Sequence, residues 1–297
     1  MTKNGKCLWI IETLLQAGEL SLRELNDRWE RSSLYDDKRL QERTFARYKE
    51  HIANEYAIDI DYSSSANKYY IVNREEIRNN ALYRYLLSAY RVAGLNTQAL
   101  HHRDKLMLEP VPTGTEHLAT MLEAIDKGRT VVFSYTSYYS PDIQEWELIP
   151  AFLRIFEGRW YLVAEYKDRQ RVKTFALERI FDLRIGDMEA TASLNITPEE
   201  FYVGCFGIIR EEEMHPRLIR LRADRQQRCY LRAQPLHASQ EEVETTDDYS
   251  VFSYYLRPTF DFYQRVLWMR EKVELLGPDD VRAEMAKIVG QMAGMYR

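Results

Sequence analysis

Between Lys38 and Lys49 the chain carries five basic residues and one acid, Glu42, and three of the five, Arg39, Arg43 and Arg47, stand four apart. Guanidinium groups repeated at the pitch of a helix form a row of fixed donors suited to phosphate oxygens and to the major-groove edge of guanine. Thr44 stands at the edge of this row and Lys49 extends it. A charge row is also what an ordinary solvated helix face shows, so the surrounding elements decide between the two. Other residues of reactive type do not assemble. His101-His102-Arg103-Asp104 invites a metal, but adjacent histidines on a helix cannot both face one site, and no third ligand stands at a suitable spacing. Cys7, Cys205 and Cys229 are far apart and odd in number, which offers neither a disulfide framework nor a zinc site and fits a reducing cytoplasm. His237 and Ser239 share a strand face without an acid or an oxyanion-hole motif, and read as packing or an interdomain hydrogen bond. Gly-rich phosphate loops, nucleophile elbows and carboxylate pairs are absent from the sequence, so no catalytic residue, metal or cofactor is expected and an enzyme is the disfavoured class.

The elements that must position the arginine row follow from hydrophobic period. Leu8, Ile11, Leu14 and Leu15 predict a helix from Lys6 to Ala17, broken by Gly18. Ser21 followed by Glu24 is a capping-box signature opening a second helix through Trp29. A third helix is expected from about Lys38 to Tyr56, with Phe45, Tyr48, Ile52 and Tyr56 on one face and the arginines on the other. Ala57–Tyr62 and Lys68–Val72 alternate like two strands around the turn residues 63–67. Three helices and a hairpin is the winged helix-turn-helix order, which would place the third helix in a major groove and Lys68, on the wing, against the backbone. The net charge of −5 does not by itself suggest nucleic acid, so the local clustering carries that reading.

Residues 75–115 read as a helical linker with Ile77, Leu82, Leu86, Leu87 and Tyr90 at core-like spacing, closed by Pro110, Pro112 and Gly114. A short amphipathic helix over Glu116–Lys127 then leads into β-rich texture. Thr130–Tyr135, Trp146–Ile149, Phe152–Phe156, Trp160–Tyr166, Val172–Phe175 and Arg179–Ile185 predict a small barrel of the SH3-like or Sm-like kind. Here Gly158-Arg159-Trp160-Tyr161-Leu162-Val163-Ala164 follows Pro150 and precedes Lys173-Thr174-Phe175-Ala176-Leu177-Glu178-Arg179-Ile180. In these motifs the chain resembles the WYL domain family. The resemblance implies a module that binds single-stranded nucleic acid or a nucleotide-like effector and controls an attached DNA-binding head. It nominates Tyr135, Arg159, Tyr161, Lys173 and Arg179 as ligand-facing, a set in which cations hold phosphates and rings stack on bases. Trp160 and Leu162 read as barrel core. The chain departs from the family pattern at Trp146 and Lys173, where arginine is frequent, and at Ala176, so two cationic positions are weakened or lost.

Beyond residue 190 a connector leads to a strand-helix-strand-strand-helix-strand order, with strands at Leu218–Arg222, Pro235–Gln240, Ser250–Leu256 and Lys272–Leu275 and a closing helix from Pro278 to Met295. This order predicts a ferredoxin-like α+β domain and resembles the WCX-type extension that follows WYL domains. The expected organisation is therefore α+β and multidomain: a DNA-binding domain over 1–74, the linker over 75–115, the WYL domain over 116–189 and the extension over 190–297. The expected function is a transcription regulator acting on double-stranded operator DNA as a homodimer, since two heads on half-sites combine their affinities. An accessory factor of DNA repair or phage defence is the alternative. No apolar run approaches the roughly 20 residues of a membrane helix, and no signal-peptide core is present, so the chain is expected in the cytoplasm, away from membranes.

Overall fold

The structure, a computed structural model, describes residues 3–32, 35–94, 102–107, 114–138, 140–168, 171–190 and 197–297. The chain divides into two compact units, Met1–Glu109 and Pro110–Arg297. In the first, α1 (Lys3–Ala17) buries Leu8, Ile11 and Leu14 together with Cys7 and Ile10. Gly18 ends it in the left-handed region at φ +87°, where a side chain is disfavoured, and its N–H closes onto the Leu14 carbonyl at 2.9 Å. The next residues form β1 (Glu19–Leu20), a strand too short to leave a periodic signal. α2 (Leu22–Glu30) starts from the expected capping box: Glu24 N–H donates to Ser21 Oγ at 3.2 Å, and Ser21 N–H donates to the Glu24 carboxylate at 2.8 Å.

α3 (Glu42–Tyr56) begins four residues later than its charge pattern suggests. Asn26 grips the preceding segment on both sides, donating to the Leu40 carbonyl at 3.0 Å and accepting from its N–H at 2.7 Å, while Leu40 itself is buried. Trp29 adds a bond from its indole N–H to the Lys38 carbonyl at 3.0 Å. A backbone committed to those partners cannot also close helical turns. The hairpin of β2 (Ile60–Ser63) and β3 (Lys68–Ile71) pairs Ser63 with Lys68, and β1 adds on the far side of β3 to complete a three-stranded sheet. Trp29, fully buried, meets Trp9 edge-on at 4.8 Å in the core beneath these elements. The linker helix is two helices, α4 (Arg74–Asn79) and α5 (Ala81–Gly94), of which Ile77 and Leu87 are buried; Leu82, Leu86 and Tyr90, expected in the core, are exposed. Within that linker, residues 95–101 and 108–113, with Pro110 and Pro112, lie outside the described residues.

The first α-helix of the second unit, α6 (Leu118–Asp126), buries Met121 and Ala124 and leaves Leu122 exposed. It packs on a five-stranded antiparallel sheet of β4 (Arg129–Ser137), β5 (Ser140–Phe156), β6 (Arg159–Glu165), β7 (Val172–Ala176) and β8 (Ile180–Glu189), in the order β7-β6-β5-β4-β8. The two strands expected on either side of Pro150 are one strand: the register shift between Pro150 and Phe152 absorbs the missing proline N–H. After α7 (Pro198–Phe201) comes a second sheet, β9 (Arg217–Asp224), β10 (Glu241–Thr245), β11 (Tyr249–Leu256) and β12 (Val273–Gly277), ordered β10-β11-β9-β12. Three helices accompany it: α8 (Gln227–Ala233), α9 (Phe260–Trp268) and α10 (Asp279–Gly294). Residues 235–240, predicted as a strand, form a turn. Gln240 holds it by donating to the Leu231 carbonyl at 2.8 Å and accepting from Leu236 N–H at 2.9 Å, and the strand follows immediately after.

Candidate nucleic-acid interface and ligand site

Helix α3 separates its faces. Phe45, Ile52 and Tyr56 are buried, and Tyr48 packs against the same core. Arg43, Thr44 and Arg47 are exposed on the opposite side, and neither arginine makes an ion pair among the described residues. The other cations predicted for this surface are engaged. Arg39 precedes the helix instead of continuing the row, with its Nε 2.5 Å from Glu30 Oε1 and a second nitrogen 3.6 Å from Asp27. The bond to Arg39 holds the Glu30 carboxyl below its ordinary range. Lys49 Nζ stands 5.3 Å from the centre of the Tyr69 ring, and Lys68 Nζ is 3.2 Å from Glu19 Oε1. The open part of the predicted row is thus Arg43, Thr44 and Arg47.

In the second unit four of the five predicted ligand residues come together. Tyr135 on β4 is buried, and its hydroxyl accepts from Ala176 N–H at 3.4 Å. Arg179, at the end of the single 3-10 turn Leu177–Arg179 between β7 and β8, lays its guanidinium 5.1 Å from the Tyr135 ring centre and 4.4 Å from that of Tyr138. Arg159 on β6 hydrogen-bonds to the Tyr138 side chain and places Nη1 2.9 Å from Glu178 Oε1, two partners that raise its pKa. Tyr161 is 8% exposed, and burial, followed by the nearby Glu178 charge, pushes its phenol up. Glu178 Oε2 and Arg179 Nε, on consecutive residues, are both buried without a hydrogen-bond partner among the described residues.

Lys173 stands apart. Its Nζ lies 4.4 Å from the Trp146 ring centre, and partial desolvation there lowers its pKa. Phe175 stands between it and the cluster, 5.2 Å from Lys173 Nζ and 5.0 Å from the Tyr135 ring. The tryptophan at a position where the family pattern often has arginine thus serves as the surface on which Lys173 rests.

Residues that sequence reasoning passed over complete the picture. Arg154, opposite Tyr161 in the β5–β6 register, stacks its guanidinium 3.6 Å from the Tyr202 ring centre. A lone arginine in the apolar run from Ala151 to Phe156 was the available signal. Burial of Tyr161 had none: the side of β6 that it shares with Val163 is packed as well, at Val163 by Phe201, Tyr202 and Cys205 of the connector. His237 Nδ1 lies 2.7 Å from Ser239 Oγ; burial lowers the ring's pKa, and a bond with the Cys205 backbone ties it to the connector. His101 lies outside the described residues, and among those described no group of three ligand-type side chains could hold a metal ion.

The WYL domain model matches residues 116–185, that is, α6 and the five-stranded sheet with the arginine–tyrosine cluster. The second unit contains a WYL domain. A WCX domain follows it at residues 215–293, over the second sheet and its helices. No curated protein matches the chain. Among solved structures, proteasome accessory factor B/C (PafBC) of Arthrobacter aurescens aligns with 95% of this chain at 16% identity and a TM-score of 0.36, and this chain spans 45% of its length. A CRISPR Cas-related protein aligns with 99% of this chain and 84% of its own, at 12% identity and a TM-score of 0.40. No helix among the described residues is long and apolar enough to cross a membrane.

Proposed function

We propose that the chain is a DNA-binding transcription regulator, not an enzyme, whose WYL domain senses an anionic, nucleotide-like ligand. The observation that carries the DNA-binding half is helix α3, with Arg43, Thr44 and Arg47 open on the face opposite Phe45, Ile52 and Tyr56. The order of helices and hairpin in residues 1–74 is read as a winged helix-turn-helix, with α3 in the major groove and the β2–β3 turn on the backbone. Lys49 and Lys68 join the interface if DNA phosphates compete successfully with Tyr69 and Glu19. Residues 75–115 serve as the linker. Residues 116–189 are read as a small SH3-like barrel, and 190–297 as connector and ferredoxin-like extension, a reading supported by the strand order β10-β11-β9-β12. The ligand half rests on Arg159 and Arg179 among Tyr135, Tyr138 and Tyr161, cations and rings placed as a phosphate-plus-base ligand requires. A homodimer acting on paired half-sites is part of the same reading.

Footprinting on the intergenic DNA beside the chain's own gene tests the assignment. A regulator protects one discrete duplex segment there, and single strands compete poorly for the head. Uniform protection, or preference for single strands by the whole chain, would contradict it and favour an accessory role.

A further inference from the structure

The turn Leu177–Arg179 carries hydrogen-bonding capacity that the described residues do not use. Its two charged residues offer an acceptor, Glu178 Oε2, and a donor, Arg179 Nε, each buried and unpartnered among the described residues. The other Glu178 oxygen occupies Arg159, and the Glu178 side chain is only 11% exposed. Arg159 therefore does not stand open to an incoming anion; a carboxylate of the protein already holds the place that a phosphate would take. Two arginines and one glutamate leave a single net positive charge, whereas the same pair without the glutamate matches a phosphate dianion.

The same turn is where the first described residues of the second unit lie. Gly114, at φ +101°, lies so close to it that a Cβ would fall 2.6 Å from Glu178 N and from Leu177 C. Three residues on, the His117 ring nitrogen meets the Ile180 carbonyl at 3.1 Å. Residues 114–117 are thus seated on both ends of the turn, and any displacement of Glu178 is felt at Gly114.

We propose that Glu178 is the resident anion of this site: a ligand phosphate taking Arg159 and Arg179 displaces its carboxylate, and the turn it sits on shifts against Gly114, passing the event to the linker. This rests on the reading of the cluster as an anion-ligand site. The turn is then the element with two arrangements, and the ligand's preference for the displaced one supplies the coupling.

The test uses the full chain and a fluorescein-labelled, terminally phosphorylated oligodeoxythymidylate, with affinity read by fluorescence anisotropy. Glu178→Gln, which keeps shape and removes charge, is expected to bind about tenfold more tightly than the native chain. Arg179→Gln is expected to lose binding. Hydrogen exchange should quicken in peptides spanning 114–118 and 177–180 when the native chain is saturated with the probe, and in Glu178→Gln without it. Glu178→Asp, which retains the charge on a shorter arm, covers the case in which Glu178→Gln does not fold, and is expected to bind between the native chain and loss of the latch. If removing or shortening the carboxylate leaves affinity unchanged or weakened while Arg179→Gln still abolishes binding, the resident-anion role is overturned and the ligand site stands. If Arg179→Gln binds as the native chain does, the ligand-site reading itself falls. Unchanged exchange at 114–118 on saturation removes the coupling to the linker.

Discussion

The arginines of α3 and those of the WYL cluster are the same side chain in opposite situations. Arg43 and Arg47 stand in water with no protein partner among the described residues, while Arg159 and Arg179 are held by Glu178, Tyr135 and Tyr138. An exposed guanidinium is already solvated and exchanges water and counterions for phosphate with little rearrangement, which suits a long polyanion met at many points. A partnered one must first give up its protein contacts, so binding there is selective and accompanied by movement. The first arrangement fits attachment and the second fits sensing.

Charge reversal of the open pair, Arg43→Glu with Arg47→Glu, should produce the largest effect: duplex affinity falls roughly hundredfold or more in a gel-shift titration, with the melting temperature unchanged. Retained affinity would remove the distinction between open and held arginines. Single alanine variants sharpen it. Arg47→Ala should weaken duplex binding about tenfold, whereas Arg39→Ala, taken from a residue committed to Glu30 and Asp27, should change it less than about twofold. Equal losses in the two variants would mean that Arg39 leaves its partners on DNA.

A smaller effect concerns the platform under the open arginines. Ser21→Ala removes the cap of α2, whose Asn26 and Trp29 fix the segment leading into α3, and should cost about 1 kcal/mol in denaturant unfolding. The smallest concerns a held pair outside the cluster. Arg232 holds the Glu242 carboxyl down at about 2 from an ordinary 4.5. Because the folded value lies below the unfolded one, the contribution of this pair is present above pH 4.5 and disappears as pH falls towards 2. Glu242→Gln should therefore lower stability modestly at neutral pH, converge with the native chain towards pH 2 and so flatten the acid limb in that window; an acid limb as steep as that of the native chain would show that the pair contributes nothing.

Local chemistry made much of this molecule readable. The capping box at Ser21, the aromatic face of α3, the hairpin around residues 63–67 and most strands of the two sheets follow from period and turn residues alone. What escaped was decided by partners distant in sequence. Arg39 left the helix because Asn26, fourteen residues earlier, holds the backbone of Leu40. Tyr161 is enclosed although Leu162, its neighbour with the opposite side-chain direction, is the core residue, because the side of β6 that it shares with Val163 is also packed, at Val163 by the connector. Strand alternation assumes one wet face, and β6 is buried on both from Tyr161 to Glu165. Lys173 could be assigned to the ligand set only by motif, since its stacking on Trp146 depends on a pairing of strands that the motif does not describe.

The salt dependence of duplex binding tests the division between open and held arginines most directly. Plotted as log affinity against log salt, the slope should fall by about one for each of Arg43→Ala and Arg47→Ala, and stay at the native value for Arg159→Gln and Arg179→Gln. Slopes that drop equally for all four, or only for the pair in the WYL domain, would contradict the account and place the DNA on the other surface.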